Sequence, residues 1–304
     1  MLLDSRRVSS LGVMDKLFEI ENLRCSYDKP YVKGVSKIVL EIRRLVLPRG
    51  RKVFIVGESG IGKSTILEVV GMMNNTIVQD PESRFVFFDA EGKACDLIAL
   101  WDTDSDRELS EFRLRHFNFI FQSTNLMRNF SAYENIAITR MIQGYTREEA
   151  FAKTASVLAD LGLGMVDEKR LAQELSGGQQ QRLAFARAIL PDFSVLFGDE
   201  PTGNLDAENA MNVMELLSRK LSGVQGSSAI IVTHDMHLAT TFADMIIKVR
   251  KQYRSQRNAH GEIEAYGLVD ESSVFVPDRQ GGGWTNGEIT LATGDFEVFL
   301  RKKA

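Results

Sequence analysis

The stretch GESGIGKST, Gly57 to Thr65, sets glycines, a lysine and two hydroxyls at a spacing suited to holding phosphate. Glycine lets successive backbone amides curl around an anion without a β-carbon in the way. Gly57, Gly62, Lys63 and Ser64 fit the pattern G-x-x-x-x-G-K-[ST]. Glu58, Ser59, Gly60 and Ile61 fill the intervening positions, whose backbone cradles the phosphates. Lys63 would reach the β- and γ-phosphates, Ser64 would ligate Mg²⁺, and Thr65 would add a phosphate contact.

VLFGDE, residues 195–200, ends an apolar run on two acids. Asp199 would hold Mg²⁺, directly or through water, and Glu200 would polarise a water for in-line attack on phosphorus. Two acids alone would read as a helix cap or a solvated turn, and the phosphate loop decides between the readings. LSGGQQQR, Leu175 to Arg182, is a second serine-glycine loop opening a helical pattern. It too can meet an anion through backbone amides, so one chain carries two phosphate grips.

These groups need a scaffold of alternating elements. Lys52–Val56 is apolar after its lysine, as a strand buried on both faces should be, and it runs through the glycine loop into a helix, STILEVVGMM. Before it lie β-rich runs, LFEIENL and SKIVLEI. After it come the strand RFVFFDA and the acidic stretch WDTDSDRELSEF, read as an exposed excursion into a helix. Residues 123 to about 190 read as mainly helical, with REEAFAKTASVLADLGL at helical spacing. Strand signals return at SVLFGD and SSAIIVTHD around the helix ENAMNVMELLSRKL. Alternating strands and helices imply an α/β fold with a parallel sheet that binds ligands beyond its carboxyl ends. The tail after Val249 reads first as basic and polar, then as strands joined by glycine turns.

The bulk composition excludes several classes. Of the 304 residues 44% are hydrophobic and 26% charged, as in a globular protein with a real core. The net charge of -4 provides no basic field for nucleic acid, so no nucleic-acid partner is expected. The two cysteines, Cys25 and Cys95, lack metal-ligand spacing and suit a reducing compartment. No apolar run approaches the ~18 residues of a membrane span, and the amino terminus lacks a signal-peptide core. These features predict a cytoplasmic chain.

Phosphate loop, Gln122, LSGGQQQR, DEPTGNLD and THD follow one another in the order and rough spacing of an ABC-transporter nucleotide-binding subunit. The resemblance covers roughly residues 17 to 249, and FQSTNLMRNFSAYENI and EPTGNLD resemble the MacB, LolD and FtsE type most. It implies a P-loop NTPase with a RecA-like parallel-sheet core, an antiparallel β subdomain and a helical subdomain. Residues 1–14 would be an extension, 15–249 the ATPase domain with the helical part at about 123–190, and 250–304 a β-rich extension.

Residue roles follow from the same resemblance. Gln122 resembles the glutamine that senses Mg²⁺ and γ-phosphate and touches the membrane partner, and His234 resembles the switch histidine at the γ-phosphate. Asp206 resembles an aspartate that communicates across a dimer interface, and it also reads as a helix cap. Tyr27 resembles the aromatic that stacks on adenine, with Tyr31 as its substitute. Ser176, Gly177, Gly178 and Gln179 would face the ATP of a second subunit, so the resemblance implies a head-to-tail homodimer around two ATP·Mg²⁺. Separately encoded transmembrane permease subunits would carry the transport, with the chain peripheral on the cytoplasmic face of the membrane. The alternatives are the ATPase of a non-transport membrane signalling complex, as FtsE is, and a soluble non-transport ABC ATPase.

Three segments depart from the family's compact form: SKIVLEIRRLVLPRG, the acidic stretch from Trp101 to Glu111, and the tail. The tail's basic residues Lys248, Arg250, Lys251, Arg254 and Arg257 read as a solvated face, with anionic headgroups or a partner as the alternative.

Overall fold

The computed structural model of the chain describes residues 12, 15–28, 31–32, 36–103, 105–223, 226–254, 263–278 and 281–302. They fall into two compact units, Met1–Leu109 with Val232–Ala304 (unit 1) and Ser110–Ile231 (unit 2). Apart from Gly12 the expected 1–14 extension lies outside the described residues, and so does Arg257.

Unit 1 opens on an antiparallel sheet. β1 (Lys16–Cys25) pairs with β2 (Leu40–Pro48) on one side and with β4 (Arg84–Phe88) on the other; β5 (Ala94–Asp96) follows at the edge. The turn from β2 into β3 (Lys52–Val56) needs a left-handed residue, supplied by Gly50 at φ 68°. Beside it Arg49 donates to the Lys16, Phe88 and Asp89 carbonyls and so ties the turn to β1 and β4. Burial pushes its guanidinium below the usual arginine range.

β3 leads through the glycine loop into α1 (Lys63–Val70), and α2 (Leu97–Trp101) follows β5. The chain enters unit 2 within α3 (Asp106–His116). There β6 (Phe117–Ile120) runs parallel to β7 (Val195–Asp199), with the rings of Phe117 and Phe119 each 5.1 Å from that of Phe197. Between these strands come α4 (Ala132–Ile142), α5 (Arg147–Asp160) and α6 (Gly177–Ile189). Each begins on a capping box, Ser131/Glu134, Thr146/Glu149 and Ser176/Gln179, which satisfies donors that the helix itself leaves open. α7 (Ala207–Gly223) and β8 (Ser228–Val232) return the chain to unit 1.

In unit 1, α8 (Met236–Phe242) precedes β9 (Met245–Lys248), which lies parallel to β3 with Val56 opposite Lys248. All four residues of β9 are buried, as are the four of β3 after its lysine, so the runs read as apolar.

The tail belongs to unit 1. β10 (Arg250–Tyr253) pairs with β11 (Ala265–Val269), and β11 runs parallel to β2. β12 (Val274–Pro277) joins β9 antiparallel, followed by β13 (Gly283–Thr285) and β14 (Thr290–Ala292). The strand reading fails at TGDFEVFLR, which forms helix α9 (Thr293–Arg301). Phe296 and Leu300, four residues apart, both point inward, a helical period that outweighs the β propensity of Phe and Val. Phe296 stacks on Trp284 at 5.4 Å and meets Phe275 at 4.9 Å.

The described members of the basic cluster do not form a solvated face. Lys248 is 7% exposed and donates to the Phe299 and Lys302 carbonyls, capping the end of α9. Burial lowers its ammonium below the usual lysine range. Arg250 pairs with Asp270, Lys251 lies 3.7 Å from Glu58, and Arg254 bonds the Ser36 carbonyl at 2.7 Å.

Phe296→Ala should destabilise unit 1 by about 3–5 kcal/mol in denaturant unfolding. Val298→Ala on the opposite, exposed side of α9 should leave the midpoint within about 0.5 kcal/mol of wild type.

Candidate active site

The phosphate loop is a backbone device. Gly57, Gly60 and Gly62 sit at φ 155°, 73° and 97°, conformations an L side chain rarely adopts. A β-carbon at Gly57 would meet the Val249 carbonyl at 3.0 Å, and one at Gly62 the Val39 carbonyl at 3.2 Å. Helix α1 starts at Gly62 with no side-chain cap and no acid in its first turn. No side chain therefore covers its leading end, where the positive end of the helix dipole lies. Lys63 folds back onto the Gly57 and Glu58 carbonyls at 3.0 and 2.7 Å, across the loop that would hold phosphate. Ser64 is exposed and Thr65 buried. Tyr27 is 50% exposed, and its hydroxyl lies 3.1 Å from Thr65 Oγ1 and from Glu68 Oε2. Burial and the nearby Glu68 carboxylate push its phenol up. Tyr31 instead lines a separate cleft.

Unit 1 also carries His234, exposed between β8 and α8. Asp235, next to it, caps α8 by accepting from Leu238 N at 3.0 Å. The tail holds the same helix, because Glu297 on α9 accepts from Thr240 Oγ1 at 2.8 Å and lies 3.5 Å from His237 Nδ1.

Unit 2 carries the other motifs. Asp199 ends β7, and Glu200 follows at φ 47° in the left-handed region. A non-glycine residue there is strained by roughly 1–3 kcal/mol, the kind of cost that gathers at functional sites. Gln122 is exposed just past β6. Its following loop is held by Arg187, which donates to the Thr124 and Asn125 carbonyls, and by fully buried Asn135, which brackets Met127 N and O. Ser176 and Gly177 are exposed at the start of α6, where Ser176 accepts from Gln179 N and Gln179 returns a bond to Ser176 N. Asp206 accepts from the Asn209 N–H and side-chain amide, which hold its carboxyl below the usual range.

Sequence reading missed two residues beneath these motifs. Gln181, third of the glutamine run, is 1% exposed and donates to the Pro201 carbonyl at 2.9 Å, joining α6 to the turn after Glu200. Its signal was a polar residue on the apolar face of α6. Gly267 in β11 lies so close to the loop that an added β-carbon would overlap the Ile61 carbonyl oxygen. A lone glycine inside a strand pattern was the available sign.

Residues 40–203 match the ABC transporter family. The chain belongs to that family. As an ATP-binding cassette it is an ATPase. It is 36% identical over 231 residues to the lipoprotein-releasing system ATP-binding protein LolD of Colwellia psychrerythraea, covering 76% of this chain and 84% of that one. It is 38% identical over 213 residues to the macrolide export ATP-binding/permease protein MacB of a Shewanella species, a match spanning 70% of this chain and 30% of MacB. Among solved structures, the dimeric bacterial ABC transporter cassette MJ0796 superposes with a TM-score of 0.64 at 27% identity, over 76% of this chain and 94% of that one. A post-hydrolysis dimer of the same cassette bound to ADP and Pi gives 0.61 at 26% identity, again over 76% and 94% of the two chains.

Gly267→Ala should lift the Ile61 carbonyl and distort the cassette's phosphate loop. Equilibrium binding of a fluorescent ATP analogue should weaken by tenfold or more while far-UV circular dichroism is unchanged.

Proposed function

We propose that the chain works as a head-to-tail homodimer which binds two ATP·Mg²⁺ and drives conformational change in separately encoded transmembrane subunits. The observation that carries this reading is the contrast between two helix starts. α1 opens without a side-chain cap and with no acid in its first turn, while α6 opens on its own serine cap with Gly177 exposed beside it. The first start can hold a nucleotide's phosphates unaided. The second satisfies itself and is suited to an added contact from outside, the γ-phosphate of a nucleotide held by a second copy. Dimeric cassettes among the similar structures support the assembly, and relatives of export and lipoprotein-release systems support a membrane partner. Among the described residues no helix is long and apolar enough to cross a membrane. The reading makes the chain peripheral on the cytoplasmic face, attached through that partner.

In this reading Gly57 to Gly62 wrap the β-phosphate with backbone amides, Lys63 leaves its resting carbonyls for the β- and γ-oxygens, and Tyr27 stacks on adenine. The Ser64 hydroxyl, the Asp199 carboxylate and Gln122 are oxygen donors of the hard kind that suits Mg²⁺, so the residues present fit the ion. When bound, Mg²⁺ neutralises charge on the β- and γ-phosphate oxygens. Glu200 takes the proton of the attacking water as the water's oxygen bonds to γ-phosphorus and the β–γ bridging oxygen leaves with ADP. His234 donates to the γ-phosphate oxygens, and Asp206 reports across the dimer. Loss of the γ-phosphate removes a contact between subunits, which gives ATP and ADP different affinities for the closed dimer.

Glu200→Gln should lower steady-state ATP turnover by at least about a hundredfold and trap an ATP-dependent dimer visible by light scattering. Wild-type turnover in that variant would remove Glu200 as the base. Lys63→Ala should abolish productive ATP binding.

Ser176 separates the two grips. Ser176→Asp keeps the helix cap but sets a carboxylate toward the partner's γ-phosphate. ATP binding by the monomer should persist while dimerisation and turnover are lost, and a variant that dimerises normally would rule out the head-to-tail arrangement.

A further inference from the structure

Lys251 belongs to the basic run of the tail, where this chain departs from the compact form of its family, and no step above uses it. It lies on β10, and the register of β10 on β11 sets it opposite Gly267. Gly267 is the residue that packs against the Ile61 carbonyl of the phosphate loop. The strand pairing that brings one tail residue against the loop therefore brings a lysine with it.

That lysine meets an acid of the loop itself. Glu58 Oε2 lies 3.7 Å from Lys251 Nζ, with the two side chains 27% and 31% exposed. Glu58 Oε1 is buried and accepts no hydrogen bond. A carboxylate short of both water and donors depends on nearby cations. Lys248 is close enough to feel the Glu58 charge, but burial lowers its ammonium and the Phe299 and Lys302 carbonyls occupy it. Among the described residues Lys251 has no other carboxylate partner. The cleft of about 220 Å³ that these groups line also carries Arg301 and Lys302, and its described lining holds no second acid. Glu58 is the one negative group on a positive wall, and it is the one that belongs to the loop.

A carboxylate in a loop that grips phosphate works against its own ligand. The repulsion grows with the ligand's charge, so it bears more heavily on a triphosphate than on a diphosphate. We propose that Lys251 is a positioning residue for the nucleotide, a role that rests on the reading of Gly57 to Thr65 as the nucleotide loop. It draws the Glu58 carboxylate toward the tail and offsets its charge, and by this means the tail raises the preference of the loop for ATP over ADP. Glu58 is then held by two lysines, Lys63 at its carbonyl at 2.7 Å and Lys251 at its carboxylate.

The full chain is titrated with fluorescent analogues of ATP and ADP at about 50 mM and about 0.5 M salt. At low salt Lys251→Gln should weaken ATP binding about three- to fivefold and ADP binding less, and at high salt the loss should fall below about twofold. Lys251→Arg should bind ATP within about twofold of wild type, and Lys251→Glu should lose more than Lys251→Gln. In the Glu58→Gln protein, Lys251→Gln should change ATP binding by less than about twofold, because the charge it answers is gone. A lysine that only braces β10 would give an equal loss for ATP and ADP, indifferent to salt and to Glu58, with a lowered melting temperature. That pattern, or wild-type ATP affinity in Lys251→Gln, overturns the proposal. Lys63→Ala tests the reading beneath it. Wild-type ATP binding in that variant removes the loop assignment and this role together. Loss of binding there, with wild-type affinity in Lys251→Gln, removes the role of Lys251 alone.

Discussion

A helix start suited to phosphate must carry no side-chain cap, and the surroundings of α1 serve that constraint. A glycine loop without such a cap depends on neighbouring backbone to hold its shape. Here the Val249, Val39 and Gly267 backbones close against Gly57, Gly62 and Ile61 so tightly that only glycine fits at three positions. Lys63 rests meanwhile on two loop carbonyls, which keeps its charge solvated by the site itself. Rigidity is supplied from outside the loop, and binding competence is what the loop retains.

The tail contributes to that rigidity. β11 lies under Ile61, β12 extends the strand row beside β9, and α9 is joined both to Lys248 and to the helix that follows His234. Lys248 explains why the tail cannot simply be removed. Its buried ammonium is matched by carbonyls at the end of α9 and by the Phe299 ring 4.0 Å away, and an unmatched buried charge is among the more costly defects a core can carry. Unit 2 applies the same principle with side chains. Gln181, Arg187 and Asn135 each bond backbone carbonyls of a loop that carries a motif, so the exposed Gln122 and the half-buried Glu200 stand on fixed supports.

The two glycine-rich grips are therefore physically different objects. One has no side-chain cap and is held by its surroundings; the other is capped by its own serine, with Gly177 exposed beside it. In the proposed assembly one grip would hold a nucleotide and the other would close on one supplied by a second copy. The lone left-handed glutamate after β7 belongs to the same economy, since strain at Glu200 is tolerated where the surrounding turn, bonded from Gly203 N to the Glu200 carbonyl, over-determines it.

The motifs were legible because each depends on residue type at short spacing. Glycines at fixed offsets, a lysine and a serine at a helix start, and two acids ending an apolar strand are local facts that one window of sequence contains. The apolar runs of β3, β7 and β8 were legible for the same reason, as strands buried on both faces. Long-range contact decided what the windows could not contain. TGDFEVFLR became a helix because Phe296 and Leu300 found Trp284 and Phe275 to bury against. The basic run lost its solvated character because Lys248, Arg250, Lys251 and Arg254 met carbonyls and carboxylates far along the chain. Gly267 mattered only once Ile61 lay over it. Spacing determines which chemistry a chain can attempt. Burial and the pairing of distant polar groups determine which residues hold it in place, because their energies depend on neighbours that only the folded structure supplies.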